Sequence, residues 1–371
     1  MRIAFLGGLG IPADGRRGGG IENYMEQVGT RLVRRGHEVT VYCRSFYTRQ
    51  NGYYKGVRIV RLPTIRSKHL EAFVHTFLSS IHCAFGNYDI IQFHALGPSF
   101  FSIIPRLFGK RTVVSVRGLD WRREKWGRFA SWFLRKCEYC AVHFPSKTTV
   151  VSPVLKDYFQ KKYSIPVTYI PNGFTPPVFR EPNLIREQFG LSRDEYILFV
   201  GRLVPEKGCH LLIEAFKELE TEKKLVLVGG ASHTESYVEH LKRIADDRVV
   251  FVGNAKGPLL EELYTNAYLF VLPSTIEGLS NSLLEAMSYG KCVLTSDIPE
   301  NKVIVEGHGF TFRTGDKEDL KVKLKRLLQD GSMVKALGRK ARLWVEDRFS
   351  WETVTELTER FYETVSNCES H

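Results

Sequence analysis

The chain has 371 residues, enough for two or three domains at about 150 residues each. Its 43% hydrophobic and 25% charged content, with 31 Gly and 15 Pro, is ordinary globular usage and excludes a collagen-like, low-complexity or disordered chain. The net charge of +12 is unevenly placed: residues 1–175 carry 27 Lys+Arg against 10 Asp+Glu, and residues 176–371 carry 26 against 31. A basic half suits phosphorylated ligands, an anionic membrane face or nucleic acid, and the lack of any helix-turn-helix, zinc-finger or RNA-binding-sheet signature sets nucleic acid aside.

The opening MRIAFLGGLG has the length of a strand and no small-residue cleavage site behind a long apolar core, so no signal peptide is expected. No run approaches the roughly 18 apolar residues of a membrane span. Short runs rich in Val, Ile, Leu and Phe then alternate with amphipathic stretches, the pattern of parallel βαβ units. In the first half, strands are expected near Ile3–Leu6, Val39–Cys43, Ile90–His94, Val113–Val116 and Thr149–Ser152, with a helix from Ile21 to Arg35 among the intervening ones. In the second, strands are expected near Ile197–Gly201, Leu225–Val228, Val249–Val252, Leu269–Leu272 and Cys292–Thr295. The Pro- and Gly-punctuated stretch 169–177 between them reads as a linker. The expected architecture is α/β, two doubly wound Rossmann-like domains facing across a cleft, with ligands outside the carboxyl ends of the strands. The seven cysteines, at 43, 83, 137, 140, 209, 292 and 368, are odd in number and scattered, which fits a reducing cytoplasm. Cys137 and Cys140 form a lone CxxC in a helical pattern, read as helix packing rather than a zinc or redox site.

Four loops carry candidate chemistry. Gly8 to Ala13 matches the dinucleotide pattern GxGxxA, but the second strand ends Tyr42-Cys43-Arg44 without the acid that NAD needs, leaving only an NADP reading. Gly18-Gly19-Gly20 directly precedes a helix, where bare backbone and N–H groups suit a phosphate or a closely approaching ligand. In Val200-Gly201-Arg202-Leu203-Val204-Pro205-Glu206-Lys207-Gly208, between a strand and a helix, a guanidinium and an ammonium together are placed to neutralise a diphosphate. In the stretch from Pro273 to Met287, Glu277 lies in a loop, Ser280 or Asn281 caps a helix, and Glu285 in its early turns leans back toward Glu277. Two carboxylates there suit sugar hydroxyls, and the helix N-terminus suits phosphate.

Taken together, the pair from Glu277 to Glu285, the loop from Gly201 to Gly208 and the early Gly-Gly-Gly-Ile-Glu ending at Glu22 resemble the retaining glycosyltransferases of family 4, GT-B proteins of the kind that assemble bacterial polysaccharides. The resemblance spans essentially the whole chain. It implies that Arg202 and Lys207 hold the donor diphosphate, that Glu285 binds the ribose hydroxyls, and that Glu277 with the backbone of Gly278, Leu279 and Ser280 contacts the transferred sugar. It also implies that Gly253 and Asn254 lie near the base, and that Gly18, Gly19 and Gly20 close on the donor or the acceptor phosphate. The final helix, from about Trp351, is expected to cross back to the first domain, giving an acceptor-side domain of residues 1–173 with 351–371 and a nucleotide-sugar domain of residues 174–350.

One departure stands out. Where many relatives have His-Gly after the fourth strand, this chain has Arg117-Gly118-Leu119-Asp120, so Arg117 is expected to meet a carboxylate or phosphate on the sugar or acceptor, or else to pair with Asp120. His94, at the end of a neighbouring strand, is read as structural or acceptor-side. The expected enzyme moves a sugar from a UDP- or GDP-linked donor to a hydroxyl of a saccharide or lipid-linked acceptor with retention. It needs no cofactor and, lacking a D-x-D sequence, no metal at the diphosphate. The other readings are a non-catalytic nucleotide-sugar binder and an NADP oxidoreductase. Peripheral attachment to the cytoplasmic face of an anionic membrane is expected through one helix. Stepping about 100° per residue puts Trp126, Phe129, Ala130, Phe133, Leu134, Cys137, Cys140 and Ala141 on a core face and Trp121, Lys125, Arg128, Trp132, Arg135 and Tyr139 on the opposite one.

Overall fold

The computed structural model describes residues 1–13, 19–48, 51–67, 70–122, 127–231 and 234–367. The chain divides into two compact units, Met1–Gly173 with Trp351–His371, and Phe174–Ser350.

The first unit is built on eight strands: β1 (Arg2–Leu6), β2 (Glu38–Arg44), β3 (Gly52–Tyr54), β4 (Val57–Leu62), β5 (Ile90–His94), β6 (Thr112–Val116), β7 (Lys147–Val150) and β8 (Thr168–Tyr169). They lie in the order β3-β4-β2-β1-β5-β6-β7-β8, parallel except for β3. Ile3 pairs with Val39 on one side and Ile90 on the other. Strands such as β5 and β6 are buried at every position, as expected where helices cover both faces of a parallel sheet. The expected strand Thr149–Ser152 ends earlier, because Ser152 turns out of the sheet to cap the next helix, its Oγ accepting from Leu155 N at 3.2 Å.

The helix Trp351–Asn367 closes this unit. Trp351, Val354, Phe361, Tyr362 and Val365 share one core with Ile3, Phe5, Tyr24 and Val41. A Cβ on Gly173 would meet the Trp351 ring at 2.6 Å, so the end of the first segment and the start of the last helix pack backbone to indole. Ion pairs from Arg31 to Glu352 and from Arg35 to Glu359, both 2.8 Å, run along the partly exposed edge of that contact and add little beside the buried apolar area.

The second unit has six strands, all parallel: β9 (Tyr196–Val200), β10 (Lys224–Val228), β11 (Val249–Gly253), β12 (Leu269–Leu272), β13 (Cys292–Ser296) and β14 (Phe310–Phe312). Their order is β11-β10-β9-β12-β13-β14. The chain winds outward from β9 to β11, then returns to the other side of β9 to lay down β12. The strand order therefore reverses between β9 and β12, and the crevice outside the carboxyl ends of those two strands is the place where such sheets take ligands.

Candidate active site

Both chemistry-bearing loops of the second unit leave the sheet at that switch point. The loop after β9 is anchored by Gly201 N to Val228 O and Leu203 N to Gly230 O, each 2.9 Å. It ends in a 3₁₀ turn, Pro205–Lys207, followed by Gly208 at φ +68°. Only glycine fits there, since a Cβ would lie 2.3 Å from Pro273 O on the neighbouring loop. The loop after β12 is stitched to the first by Thr275 N donating to Glu206 O at 2.9 Å. Its own end is fixed by Ser280, whose Oγ accepts from Leu283 N at 3.4 Å and caps the helix Asn281–Ser288.

This stitching brings the side chains of Lys207 and Glu277 into a short, largely buried ion pair, 13% and 9% exposed. The sequence presents these residues as a diphosphate cation and a sugar-binding acid 70 positions apart; the fold makes them partners. Arg202 is exposed at the same end of β9. Gly278 and Leu279 lead directly into the capped helix N-terminus, whose opening dipoles favour an anion. Gly253 and Asn254 follow β11, and Gly229 N donates to Gly253 O at 2.8 Å, so the loops after β9, β10 and β11 lie side by side.

Glu285 is half-buried in the second turn of that helix, and Tyr264 donates its hydroxyl to Glu285 Oε2 at 3.1 Å. Burial raises the Glu285 carboxyl to about 7, with the Tyr264 bond pulling the other way. Nothing in the local pattern marks Tyr264, which reaches Glu285 from a different helix, Gly257–Asn266, and stacks on Tyr289 at 5.3 Å.

In the first unit, Gly19 precedes the helix Gly20–Arg34, but the helix start already holds an anion of its own. The Glu22 carboxylate accepts from Gly19 N at 2.6 Å and from Leu9 N at 2.8 Å. The expectation of open N–H groups for phosphate is thus corrected at Gly19, whose N–H is taken; Gly18 lies outside the described residues. The dinucleotide reading of Gly8 to Ala13 fails for a related reason. The helix begins at Gly20 rather than after the glycines, and Ala13 N is bound to Glu26 Oε2 at 2.8 Å. Arg44, at the end of β2, is paired with Glu71 instead of standing ready for a ribose phosphate.

Arg117 follows β6, but its guanidinium goes to Tyr24 and Asn172 and not to Asp120, which ends the salt-bridge expectation. His94 is fully buried, edge-on to Phe5 and Tyr24, as a structural residue would be.

The expected membrane-facing helix also changes. It runs Arg128–His143 after Gly127, so Trp121 is not on it. Trp121 sits in a 3₁₀ turn, Asp120–Arg122, donates Nε1–H to the buried Glu138 carboxylate at 2.6 Å, and is covered by the Arg135 guanidinium at 4.5 Å. Phe129, placed on the core face by angle, is 78% exposed and stacks on Trp132, itself 55% exposed. The angular face is real, with Leu134, Cys137, Cys140 and Ala141 buried. Periodicity gives the direction of a face but not how much of the helix length is covered, and here the first turn is bare. Lys125 and Trp126 lie outside the described residues.

Residues 18–176 match the model of Glycosyltransferase Family 4, and residues 182–344 that of Glycosyl transferases group 1. The chain belongs to glycosyltransferase family 4. Its activity is sugar transfer from a nucleotide sugar, and its fold is GT-B. An uncharacterised glycosyltransferase of Methanocaldococcus jannaschii is 26% identical over 93% of this chain and 94% of its own length. The GDP-mannose-dependent alpha-(1-6)-phosphatidylinositol monomannoside mannosyltransferase of Mycolicibacterium smegmatis is 29% identical over 91% and 93%. The solved sucrose-phosphate synthase of Thermosynechococcus elongatus superposes with a TM-score of 0.84 at 23% identity, covering 98% of both chains.

Proposed function

We propose that this glycosyltransferase acts with retention at the anomeric carbon, moving a sugar from a uridine or guanosine diphosphate donor to a hydroxyl of a lipid-linked saccharide. The observation that carries the donor assignment is the Lys207–Glu277 pair, held at the switch point beside a capped helix N-terminus. When the donor binds, the diphosphate takes Lys207 from Glu277, and the freed carboxylate accepts hydroxyls of the transferred sugar. Arg202 supplies the second positive charge, and Glu285 accepts from the ribose. As the glycosidic bond breaks, charge grows on the leaving diphosphate, where Lys207, Arg202 and the helix N-terminus stabilise it. The leaving phosphate oxygen takes the proton of the acceptor hydroxyl as the new bond forms on the same face, so no protein base is required.

The test is thermal stabilisation by uridine, guanosine and thymidine diphosphates, with release of nucleoside diphosphate from the matching sugar donor as the turnover readout. A base bound at a hundredfold its Kd adds about 2.7 kcal/mol, a shift of roughly 5–10 °C for a unit of this size. No stabilisation by any of the three overturns the donor assignment, and binding without release marks a non-catalytic binder. Because protein cations neutralise the diphosphate, saturating chelator is expected to leave turnover unchanged; loss restored by Mg²⁺ or Mn²⁺ overturns that part.

The first unit is also expected to dock on an anionic bilayer, which gives it a lipid-linked acceptor at the inner face of the cell membrane. No helix among the described residues is long and apolar enough to cross a membrane. The docking surface is instead aromatic and exposed. Besides the stacked Phe129 and Trp132, exposed Phe73, Phe77 and Phe100 form a second group, clustered with Phe101 and Phe133 at ring separations of 4.7–6.2 Å. Exposed Arg128 and Lys136 flank Trp132, and cations beside amphipathic rings suit the headgroup boundary of an acidic leaflet. In flotation with vesicles of graded anionic content, Phe129→Ala/Trp132→Ala and Arg128→Glu/Lys136→Glu are each expected to weaken binding at least about tenfold, at about 1 kcal/mol for each basic residue. Binding of the wild type is expected to weaken with salt. Equal, salt-insensitive binding by all three chains, or none by the wild type, overturns the docking surface.

A further inference from the structure

The first unit holds a half-buried cation that, among the described residues, has no carboxylate partner. Arg117 leaves the carboxyl end of β6 with its guanidinium 3.8 Å from the centroid of the Tyr24 ring, and its Nη1 donates to Asn172 Oδ1 at 2.5 Å. Its Nε–H is shut off from solvent and has no hydrogen-bond partner. Tyr24, Tyr362 and His94 are its neighbours, and burial lowers its pKa below the usual guanidinium range. His94 closes the adjacent strand, β5. Burial and then the Arg117 charge hold it well below the ordinary imidazole value, so it stays neutral, and its Nδ1 also has no partner.

The surroundings of Arg117 are fixed from the last helix. Tyr24 shares a hydrogen bond with Thr358 at 3.1 Å and meets Trp351 edge-on at 6.2 Å. Tyr362 donates to Gln92, whose amide lies 3.5 Å from His94 Nε2. This assembly holds the arginine against an aromatic face, in a setting where an unpaired charge is costly. Arg117 is met by an amide and a ring, neither of which neutralises its charge. Its position outside the ends of β5 and β6, next to the order reversal between β1 and β5, is a ligand position in a doubly wound sheet.

We propose that Arg117 reads an acidic group, a carboxylate or phosphate, carried by the sugar or by the acceptor. The inference rests on the glycosyltransferase reading above and deepens it: the substrate pair contains an anion besides the diphosphate. A planar guanidinium held by one nitrogen and by its face keeps an edge for a two-oxygen group, which an ammonium cannot match.

Two sets of paired probes separate the sources. Donor probes are UDP-glucuronate against UDP-glucose and GDP-mannuronate against GDP-mannose. Acceptor probes, with nucleoside diphosphate saturating, are glucose 6-phosphate and methyl glucuronide against methyl glucoside. In the wild type the acidic member of at least one set is expected to bind at least about tenfold more tightly, the effect of a charge-assisted contact. Arg117→Gln is expected to abolish that preference while leaving UDP or GDP binding intact. Arg117→Lys, which keeps the charge without the fork, is expected to retain only part of it and carries the test should the glutamine variant fail to fold. No discrimination within any pair, or unchanged discrimination in the folded variants, overturns the proposal while the donor assignment stands. A chain that binds neither UDP nor GDP overturns both.

Discussion

Replacing Lys207, Glu277 or Arg202 by Ala is expected to lower turnover by about a hundredfold or more in each case, the scale of a lost charge-stabilising donor in a transition state. In the proposed mechanism Lys207 and Arg202 meet charge that grows as the bond to the leaving diphosphate breaks, so their loss is expected to fall on kcat more than on donor affinity. Glu277 holds Lys207 in the ligand-free chain and, in the same proposal, orients the sugar once the donor has taken the lysine. The ion pair introduces a second effect that must be separated from the first. Both side chains are nearly buried, and removing one leaves the other as an uncompensated charge, which costs about 3–5 kcal/mol for a fully buried pair and less where water reaches it. The single variants are therefore expected to melt earlier than the wild type. In Lys207→Met/Glu277→Leu neither charge is left behind, so the melting temperature is expected to recover while turnover stays lost. Near wild-type turnover in Lys207→Ala and Glu277→Ala sinks the donor-site assignment, and recovery of turnover in the double variant shows that the single losses were unfolding.

The α/β class was legible because the central strands are largely apolar runs at βα spacing; β12 is apolar from end to end, and β5 is interrupted only by Gln92 before it closes on His94. The strands that sequence reasoning missed lie at the sheet edges or next to them. β4 reads Val57-Arg58-Ile59-Val60-Arg61-Leu62, with basic residues interrupting the apolar run, and it is paired to β3 through a tight turn at Lys55 and Gly56, both with positive φ. β8 and β14, of two and three residues, are too short to carry a period. At the candidate site the residue types pointed to a diphosphate and a sugar, but partnership did not follow from spacing. That Lys207 meets Glu277 depends on the reversal of strand order, and that Tyr264 meets Glu285 depends on packing between two helices. Neither contact has a local signature. The same limit applies to Trp121, whose aromatic and basic neighbours suggest a membrane face. The decisive contact is its bond to Glu138, 17 residues away and itself fully buried. Burial alone would raise that carboxyl; hydrogen bonds from Lys162, Tyr163, Trp121 and Tyr158 hold it below its ordinary value instead.

Nucleoside diphosphate affinity is expected to fall as the pH drops below about 7, and Glu285→Gln is expected to reduce that dependence to the part that belongs to the diphosphate. The Glu285 carboxyl is raised from 4.5 to about 7, chiefly by burial, so near neutrality it is only partly ionised. If Glu285 meets the ribose as proposed, both ribose hydroxyls donate to its carboxylate, whereas the acid form presents a donor of its own; the ligand is then expected to select the ionised form and binding to release a proton. The diphosphate titrates as well, with a terminal step near about 6, so the readout is the difference between wild type and variant. Stability runs in the opposite direction. Between 4.5 and about 7 the folded chain holds a proton that the unfolded chain has lost; this contribution to stability is fully present below the unfolded value and is lost as the pH rises through the folded one. At pH 8 the penalty of an ionised Glu285 is in full force, about 3 kcal/mol at about 1.4 kcal/mol per pKa unit. Glu285→Gln keeps an acceptor for the Tyr264 hydroxyl and removes the charge. The ligand-free variant is therefore expected to be more stable than the wild type at pH 8 and to lose that advantage toward pH 5, while binding UDP or GDP about tenfold or more weakly at pH 8 for want of a charged acceptor. Parallel titration of affinity and melting temperature from pH 5 to 8.5 checks both. If the two proteins show the same pH slope of affinity, Glu285 does not meet the ribose. If they show the same slope of melting temperature, its carboxyl is not the raised one.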